Sequence, residues 1–282
     1  MRTLLLIFFY FLIYYEVHSQ LERLAGARTL GINGSNVALN GDLWSLFSNP
    51  ANIGGITKPE VGSYFERRYN MQELQYIALS AAYPFKEQHF LGTSFSSFGW
   101  EYYKTTLIGV NYAYHFLKII HLGIRLNYAN TVIPNYGNWN NFLVDIGGNA
   151  TISKKVNIGF KILNANQAEI LNDKLPTEIS LGLKYQPSKK VKVLCEWKKS
   201  HIFPVSFCTG LEYQPVEYLI FRTGSAISSN RLPAPNNYFI TSSLGVGIYW
   251  QNALLDIAAQ WHDRLGITPA ISLGYQFNQK QK

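Results

Sequence analysis

Apolar and polar residues alternate with a period of two over most of the chain from residue 59 onward. In the segment VNIGFKIL, residues 156–163, the apolar positions are Val156, Ile158, Phe160 and Ile162. Successive side chains of a β-strand point to opposite faces, so alternation over seven or more residues predicts a strand with one apolar face and one wet face. The chain is therefore predicted to be almost entirely β-strand after its first 58 residues.

Fourteen segments carry this alternation. They span residues 59–68, 73–85, 89–98, 102–116, 119–133, 140–152, 156–166, 176–186, 190–199, 204–214, 217–228, 238–250, 253–263 and 266–277. An even number of antiparallel strands is typical of outer-membrane barrels, and closure removes the exposed edges that an open sheet would keep. The predicted fold is thus all-β, a closed antiparallel transmembrane β-barrel of about 14 strands.

Short and longer connections alternate between these segments. The short ones lie at Pro84–Gln88, Leu117–Lys118, Ser153–Lys155, Pro187–Lys189, Pro215–Glu217 and Gln251–Asn252. The longer ones are GWEY, PNYGNWN, NQAEILNDKLP, KSHIF, SSNRLPAPNN and HDRLGIT. Outer-membrane barrels have short periplasmic turns and longer outer loops, which predicts that the short connections face the periplasm.

The first nineteen residues have the form of a secretory signal peptide. An arginine is followed by an apolar run from Leu4 to Tyr15, and the small residue Ser19 precedes the expected cleavage site. An uncleaved anchor is the alternative. Export, 15 % aromatic residues and only 15 % charged residues, where about 25 % is usual, favour the cell outer membrane. A soluble periplasmic β-protein is the competing interpretation.

The net charge of +8 does not point to nucleic acid, because an exported chain rarely meets any. Lysines gather at the predicted periplasmic turns, at Lys86, Lys118, Lys154, Lys155, Lys189 and Lys190, and Lys280 and Lys282 end the chain on the same side. Solubility and turn chemistry are the simpler interpretation of this basic rim, and a docking surface is the alternative.

The two cysteines fall on opposite faces of their predicted strands. Cys195 shares a face with Val193 and Trp197, whereas Cys208 shares one with Ser206 and Gly210. Because side chains on opposite faces of a sheet cannot meet, a disulfide bond between them is not expected.

The predicted inward face combines glycines with charges of both signs. The glycines are Gly92, Gly123, Gly147, Gly159, Gly182, Gly210, Gly245 and Gly247. The lumen-facing charges are Arg125, Asp145, Lys161, Glu178, Lys184, Lys192, Glu196, Glu212, Arg222 and Asp256. Wall residues alone do not fill a barrel of fourteen strands. The lumen is therefore either a pore or is filled by an insert, for which residues 20–56 are the only stretch available.

The sequence GARTLGINGSNVALNGDLWSLFSNPANIGG, residues 26–55, resembles the N-terminal region of the long-chain fatty-acid transporter superfamily of outer-membrane barrels. The shared pattern is a Gly/Ala-rich start, an acidic residue before an aromatic stretch, and the tripeptide Asn49, Pro50 and Ala51. The variant is most similar to the PorV/PorQ-type barrels of Bacteroidota that are linked to type IX secretion.

This resemblance implies a fourteen-stranded barrel with an N-terminal plug. The implied division is residues 1–19 as signal peptide, 20–56 as plug and 57–282 as barrel. Within the plug motif, Asn49 and Pro50 would fix a turn, Ala51 would complete the tripeptide, and Trp44 and Phe47 would pack against the wall. In fatty-acid transporters, long outer loops build a first hydrophobic binding site. The longest outer loop here, NQAEILNDKLP, is short by comparison, and Phe277 is followed by NQKQK; both departures weaken the case for lipid uptake.

Sequence motifs for catalysis are missing. The chain contains no G-x-S-x-G, H-E-x-x-H or P-loop pattern. His262 and Asp263 adjoin an outer loop, but neighbours in a strand point to opposite faces. The six histidines lack metal-ligand spacing, and two cysteines alone make no zinc site. The sequence therefore predicts a protein that is not an enzyme and has neither cofactor nor metal.

Three functional hypotheses follow. The first is an accessory, partner-binding subunit of the type IX secretion and gliding machinery, with a larger secretion barrel or other subunits as partners. The second is an outer-membrane channel for hydrophobic or small solutes, with a hydrophobic ligand. The third covers an enzyme or a structural barrel. Outer-membrane lipid is an expected partner in the first two. A lateral gap in the wall would favour the channel, and an exposed apolar patch on a rim would favour the subunit.

Overall fold

In the computed structural model, residues 24–117, 119–170, 173–201, 205–229 and 238–278 are described. The strands, numbered in chain order, are β1 (Glu60–Arg67), β2 (Gln75–Lys86), β3 (His89–Trp100), β4 (Tyr103–Phe116), β5 (Ile120–Ile133), β6 (Gly137–Ser153), β7 (Val156–Leu163), β8 (Glu169–Ile170), β9 (Asp173–Lys174), β10 (Glu178–Ser188), β11 (Val191–Ser200), β12 (Ser206–Val216), β13 (Leu219–Ser229), β14 (Tyr238–Trp250), β15 (Ala253–His262) and β16 (Gly266–Gln276).

Fourteen of these strands form one closed antiparallel barrel, and β8 and β9 form a separate small hairpin. The first barrel strand closes the ring against the last, from Glu60 opposite Gln276 to Glu66 opposite Ala270. The predicted fold class is confirmed. Neighbouring strands are hydrogen-bonded all the way around, and register shifts occur only beside short turns. Over the paired residues the wall therefore has no lateral break.

The apolar face of the sheet points outward and the polar face points into the lumen. On β5, Leu122, Ile124 and Leu126 are exposed, while Arg125 and Asn127 are buried. A soluble protein would bury the apolar face, so this inverted arrangement is the one that lipid solvates. No helix in the described part of the chain is long and apolar enough to cross a bilayer.

Some connections are shorter than the sequence suggested, and others are as predicted. At the predicted periplasmic rim, here called the short-turn rim, Glu87–Gln88 is a two-residue turn where Pro84–Gln88 was expected, and Gln251–Asn252 is the two-residue turn that was predicted. At the opposite rim, Glu101–Tyr102 is equally short, because Gly99 and Trp100 extend β3 instead of belonging to a loop. Among the described connections, the expected difference between the rims holds mainly for residues 164–170 and 173–177; most of SSNRLPAPNN and part of KSHIF lie outside the described residues. Lys118, Lys280 and Lys282 lie outside the described residues, as does the expected signal peptide.

The N-terminal segment, residues 24–57, lies inside the lumen. It contains a short helix α1 (Ala27–Gly31) and two 3₁₀ helices, η1 (Leu43–Phe47) and η2 (Pro50–Gly55). Two further 3₁₀ turns, Arg68–Asn70 and Gln72–Leu74, connect β1 to β2. Most side chains of the segment are buried by the wall, so it occupies space that the wall residues do not fill.

Glycines on the inner wall allow the segment to approach the strands backbone to backbone. A Cβ atom placed on Gly159 would lie 2.2 Å from the carbonyl oxygen of Val37, and one on Gly123 would lie 2.4 Å from the amide nitrogen of Ala51. Neither site leaves room for a methyl group. The wall glycines are therefore needed for close packing of the segment.

Residues 164–170 and 173–177 fold back over the lumen instead of extending away from it. Leu175 is buried against the inward side chains Leu107, Ala129 and Leu143. Asn164 holds the two ends of this loop together, because its side chain donates to the carbonyl of Leu175 and accepts from the amide of Ala168. The longest described connection thus covers the lumen on the side of β4 to β6.

We expect Gly159→Ala to destabilise the closed barrel by about 1–3 kcal/mol, because the added methyl group has no space against Val37. Gly274→Ala is the matched control, since the nearest atom to a Cβ there is 3.7 Å away. Urea unfolding of the protein in lipid vesicles, followed by tryptophan fluorescence, measures both variants. Equal stabilities would contradict the proposed role of the glycine.

Candidate functional site

A buried ion-pair network joins the N-terminal segment to β11–β15. Arg28 of α1 donates to both carboxylate oxygens of Glu212, at 2.7 and 2.8 Å, and contacts Asp42 at 3.3 Å. Arg222 donates to Glu212 at 2.9 Å and to Asp256 at 2.5 Å. A two-point guanidinium–carboxylate pair fixes geometry as well as charge. The network therefore holds α1 in one orientation against the wall.

Antiparallel register explains why these side chains meet. Glu212 lies directly opposite Lys192 on one neighbouring strand and opposite Arg222 on the other. Lys192 adds a third contact to Glu212, at 3.2 Å. Three cations thus surround one carboxylate, and Asp42 and Asp256 balance the remaining charge.

Burial disfavours the charged form of both segment residues in this network, but their charged partners compensate it to different extents. Against the desolvation that burial imposes, Glu212 and Asp42 raise the pKa of the Arg28 guanidinium well above its usual value. Burial raises the pKa of the Asp42 carboxyl, and Arg28 offsets only part of that rise. The Arg28 charge is therefore well compensated, whereas Asp42 is held less favourably as an anion.

A second network fixes the middle of the segment. Lys161 is fully buried and lies 3.3 Å from both Glu178 and Glu196. Glu196 accepts a hydrogen bond from the amide of Val37 at 2.9 Å, and Lys198 donates to the carbonyl of Gly34 at 3.0 Å. The wall thus supplies both a donor and an acceptor to the segment backbone.

Asn49 and Pro50 form the junction between the segment and β4–β6. The Asn49 side chain accepts from the amide of Ala51 and donates to the carbonyls of Val37 and Gly148. It therefore caps η2, which begins with proline at its first position. The carbonyl of Pro50 accepts a hydrogen bond at 3.0 Å from the side chain of Asn111 on β4. The turn is therefore also bonded to the barrel wall.

Five aromatic rings form a continuous file from the segment to the wall: Phe47, Trp44, Tyr64, Tyr76 and Phe98. Consecutive centroids are 6.3, 5.8, 5.8 and 6.3 Å apart. This aromatic file lies against β1–β3 and belongs to the largest buried apolar cluster of the lumen. The guanidinium of Arg125 lies 5.1 Å from the centre of the Phe47 ring, so a cation–π contact ends the file.

The remaining lumen-facing charges occupy different sectors. Asp145 lies opposite Arg125 in the register of β5 and β6, and it accepts hydrogen bonds from Asn127 at 2.7 Å and from the amide of Asn164 at 2.8 Å. Lys184 is half-buried near the short-turn rim. The ten charges thus do not form a single site, since Arg125 and Asp145 stand apart from the two ion-pair networks.

Arg28 and Asp42 were not among the candidate site residues from the sequence, although both belong to the first network. The charges on β11–β15 signalled that an inserted partner could be needed. However, the pairing of Arg28 with Glu212 joins residues 184 positions apart, and alternation within strands carries no information about such contacts.

His262 and Asp263 are closer than strand geometry suggested. Their Nδ1 and Oδ1 atoms lie 3.1 Å apart because Asp263 is already past the end of β15. No group of three or more histidine, cysteine, aspartate or glutamate side chains in the described chain could hold a metal ion. Cys195 and Cys208 are both free thiols.

No family model and no curated protein matches the chain. Among solved structures, the CymD monoaromatic hydrocarbon channel matches with 13% identity and a TM-score of 0.71, over 93% of this chain and 100% of that one. The toluene transporter TodX of Pseudomonas putida matches with 11% identity and a TM-score of 0.71, over 92% and 100%. A Pseudomonas aeruginosa FadL homologue matches with 12% identity and a TM-score of 0.69, over 90% and 98%.

The chain has the fold of these transport barrels. At such identities the likeness concerns the fold alone, and it spans essentially the whole length of each solved chain. It agrees with the closed fourteen-stranded barrel that the resemblance implied, whereas nothing in these matches bears on PorV/PorQ-type barrels or on type IX secretion.

We expect Glu212→Gln to destabilise the protein by about 3–5 kcal/mol, because it leaves Arg28, Lys192 and Arg222 without their shared counter-charge. Asp42→Asn should cost much less, since Asp42 makes one contact of 3.3 Å and its pKa is raised by burial. Urea unfolding in vesicles compares the two variants. An equal loss in both would show that Glu212 is not the central anion.

Proposed function

We propose that the protein is an outer-membrane channel for small hydrophobic solutes, closed in this state by its N-terminal segment. The observation that carries this proposal is the aromatic file inside the lumen. Its rings are buried among inner-wall residues that are elsewhere mostly serine, threonine, asparagine or charged. A pore for polar solutes would have a polar lining, so a continuous aromatic surface suits an apolar solute.

The solute class follows from ring geometry. Aromatic rings with centroids about 4.5–7 Å apart attract one another beyond simple area burial, and the spacings in the file fall in that range. A solute ring could take the place of one member of the file. Two of the solved barrels with this fold are a monoaromatic hydrocarbon channel and a toluene transporter, which supports the same class for this chain.

Transport requires the N-terminal segment to shift. The aromatic file includes Trp44 and Phe47 of the segment, so movement of η1 would open space beside β1–β3. The ion pairs of Arg28 hold α1 against the opposite wall. We propose that η1 moves while α1 stays anchored, with residues 20–56 acting as the plug and residues 57–282 as the barrel.

The proposed location is the outer membrane, reached through a signal peptide in residues 1–19. Support comes from the outward apolar belt and from the barrel fold. In this arrangement the short-turn rim faces the periplasm, and the basic turns project from it.

Uptake of radiolabelled toluene by Gram-negative cells that lack other hydrocarbon channels tests the proposal. Expression of the protein should raise the initial uptake rate above that of cells with an empty vector. Phe98→Gln should lower the rate, because it puts an amide at the end of the aromatic file, whereas Phe98→Leu keeps an apolar side chain and should preserve it. Uptake equal to the empty vector, at normal surface levels of the protein, would overturn the proposal.

The second candidate function is a partner-binding subunit of the type IX secretion and gliding machinery. The specific observation in its favour is the shortness of the connections at both rims, such as Glu101–Tyr102 and Gln251–Asn252. Partner proteins could cover such rims directly. The unbroken wall also removes one feature that would have favoured a lateral route for solutes.

Affinity purification from native membranes in mild detergent, with mass spectrometry of proteins and bound lipids, separates the two functions. A larger secretion barrel recovered in stoichiometric amount would establish the subunit role. Recovery of the protein alone with an apolar molecule in its lumen would exclude that role and support the channel.

A further inference from the structure

Uncharged polar groups that are buried without hydrogen-bond partners gather on one side of the lumen. They include Asn40 Oδ1 and Ser48 Oγ of the segment and the wall atoms Ser80 Oγ, Asn111 Oδ1, His115 Nε2, His121 Nδ1 and Asn127 Oδ1 on β2, β4 and β5; Asn36 Oδ1 of the segment is a further such atom. Among the described residues of β7–β15, the buried polar atoms without a hydrogen-bond partner belong instead to ion-paired side chains: Lys161, Glu196, Arg222 and Asp256. The unpartnered atoms beside the segment are therefore mostly uncharged on the β2–β5 side and ion-paired on the β7–β15 side.

The register places several of these groups in one row across four strands. Ser80 lies opposite Ser94, Ser94 opposite Gly109, and Gly109 opposite Asn127. A Cβ atom on Gly109 would lie 2.6 Å from Arg125 Nε, 2.7 Å from Asn127 Oδ1 and 2.8 Å from Ser94 Oγ, and the Arg125 guanidinium donates to Ser94 Oγ at 2.8 Å. The polar side chains thus converge over the bare backbone of β4 in the middle of the wall.

Further polar groups continue this row toward the short-turn rim. Asn111 is the next inward residue on β4, and the stacked rings of His115 and His121 lie at the ends of β4 and β5 with centroids 3.9 Å apart. His121 Nε2 lies 3.1 Å from the side-chain nitrogen of Asn40, whose own Oδ1 is buried without a partner.

In the other direction, the row is followed by the inward hydroxyls of Thr105 and Thr131, which lie 3.2 Å apart. Ser96 on β3 is also inward and buried. Between the Gly109 row and this threonine pair lie the inward apolar side chains Leu107 and Ala129, so at that level only Ser96 on β3 continues the polar groups.

Buried polar groups without partners are costly, and in folded proteins ordered water usually supplies the missing hydrogen bonds. A single unpartnered group would be a local defect, whereas several along one side of the segment indicate a common cause. We infer that the boundary between the segment and β2–β5 is a hydrated seam, through which water and small neutral polar solutes pass while the segment stays in place. The seam, defined by Ser80, Ser94, Asn111, Asn127 and His121, is a route for solutes of opposite polarity to those of the aromatic file.

The chain contains a matched control for this inference. Ser80 and Cys208 both face the lumen and have similar exposure, 6% and 3%. Ser80 belongs to the seam, whereas Cys208 lies on β12 directly opposite Glu196, beside the second ion-pair network. Both residues are thus buried in the lumen wall, but only Ser80 lines the proposed water route.

Labelling with a small methanethiosulfonate reagent tests the seam. In a Cys195→Ser background, Ser80→Cys should react at least about tenfold faster than Cys208, because only the former is reached by water and reagent. Comparably slow reaction of both thiols in the folded barrel would show that the seam is dry and overturn the inference. If Ser80→Cys fails to fold, Ser96→Cys, also buried at 1% exposure, takes its place with the same expected result.

Solute flux through the same variant provides a second readout. Proteoliposomes holding the cysteine variant should swell in glycerol faster than protein-free vesicles, and attachment of a benzyl methanethiosulfonate group at position 80 should cut that rate by more than half. Glycerol flux that is absent, or unchanged by the modification, would contradict passage through the seam. Toluene uptake is measured separately, so failure of the seam and failure of the hydrophobic channel are distinguishable.

Discussion

The carboxylate of Glu212 is shared by the N-terminal segment and the barrel wall. It binds Arg28 from the segment and Lys192 and Arg222 from the two neighbouring strands. Withdrawing Arg28 would leave a charged carboxylate and guanidinium to find new partners in a poorly hydrated space, which is costly. The fixed position of α1 depends on this interaction, and the position of α1 in turn sets where η1 and η2 meet the wall.

The segment consequently contacts three chemically different walls. Ion pairs hold it against β11–β15, aromatic rings pack it against β1–β3, and amide and hydroxyl groups surround it along β2–β5. Ion pairs and amide hydrogen bonds require particular geometries, whereas apolar contacts tolerate sliding. This division explains how one short segment can be both firmly seated and able to move over part of its length.

The barrel was predictable from sequence because apolar and polar residues alternate within each strand, which shows which side chains face lipid and which face the lumen. Alternation in residues such as Val156, Asn157 and Ile158 reports the environment of single positions, and closure follows from the even number of strands. For the lumen, the sequence predicted which types of residue face inward but not which of them contact one another. Inward charges could be named one by one, but the assignment of Arg28 to Glu212 depends on how the segment threads, and the segment has no repeating pattern. Turn lengths were overestimated at Glu101–Tyr102, because Gly99 and Trp100 read as loop residues yet continue β3.

The order of residues in the chain gives the ion-pair network a consequence for assembly. Arg28 is near the start of the described chain, but the carboxylate that it binds lies 184 residues later, and β1 closes the ring only against β16. The segment that fills the lumen therefore has no lumen to fill until the last strand has formed. The segment precedes the strands that surround it in the chain, so its ion pairs with β12 can form only once that strand is in place.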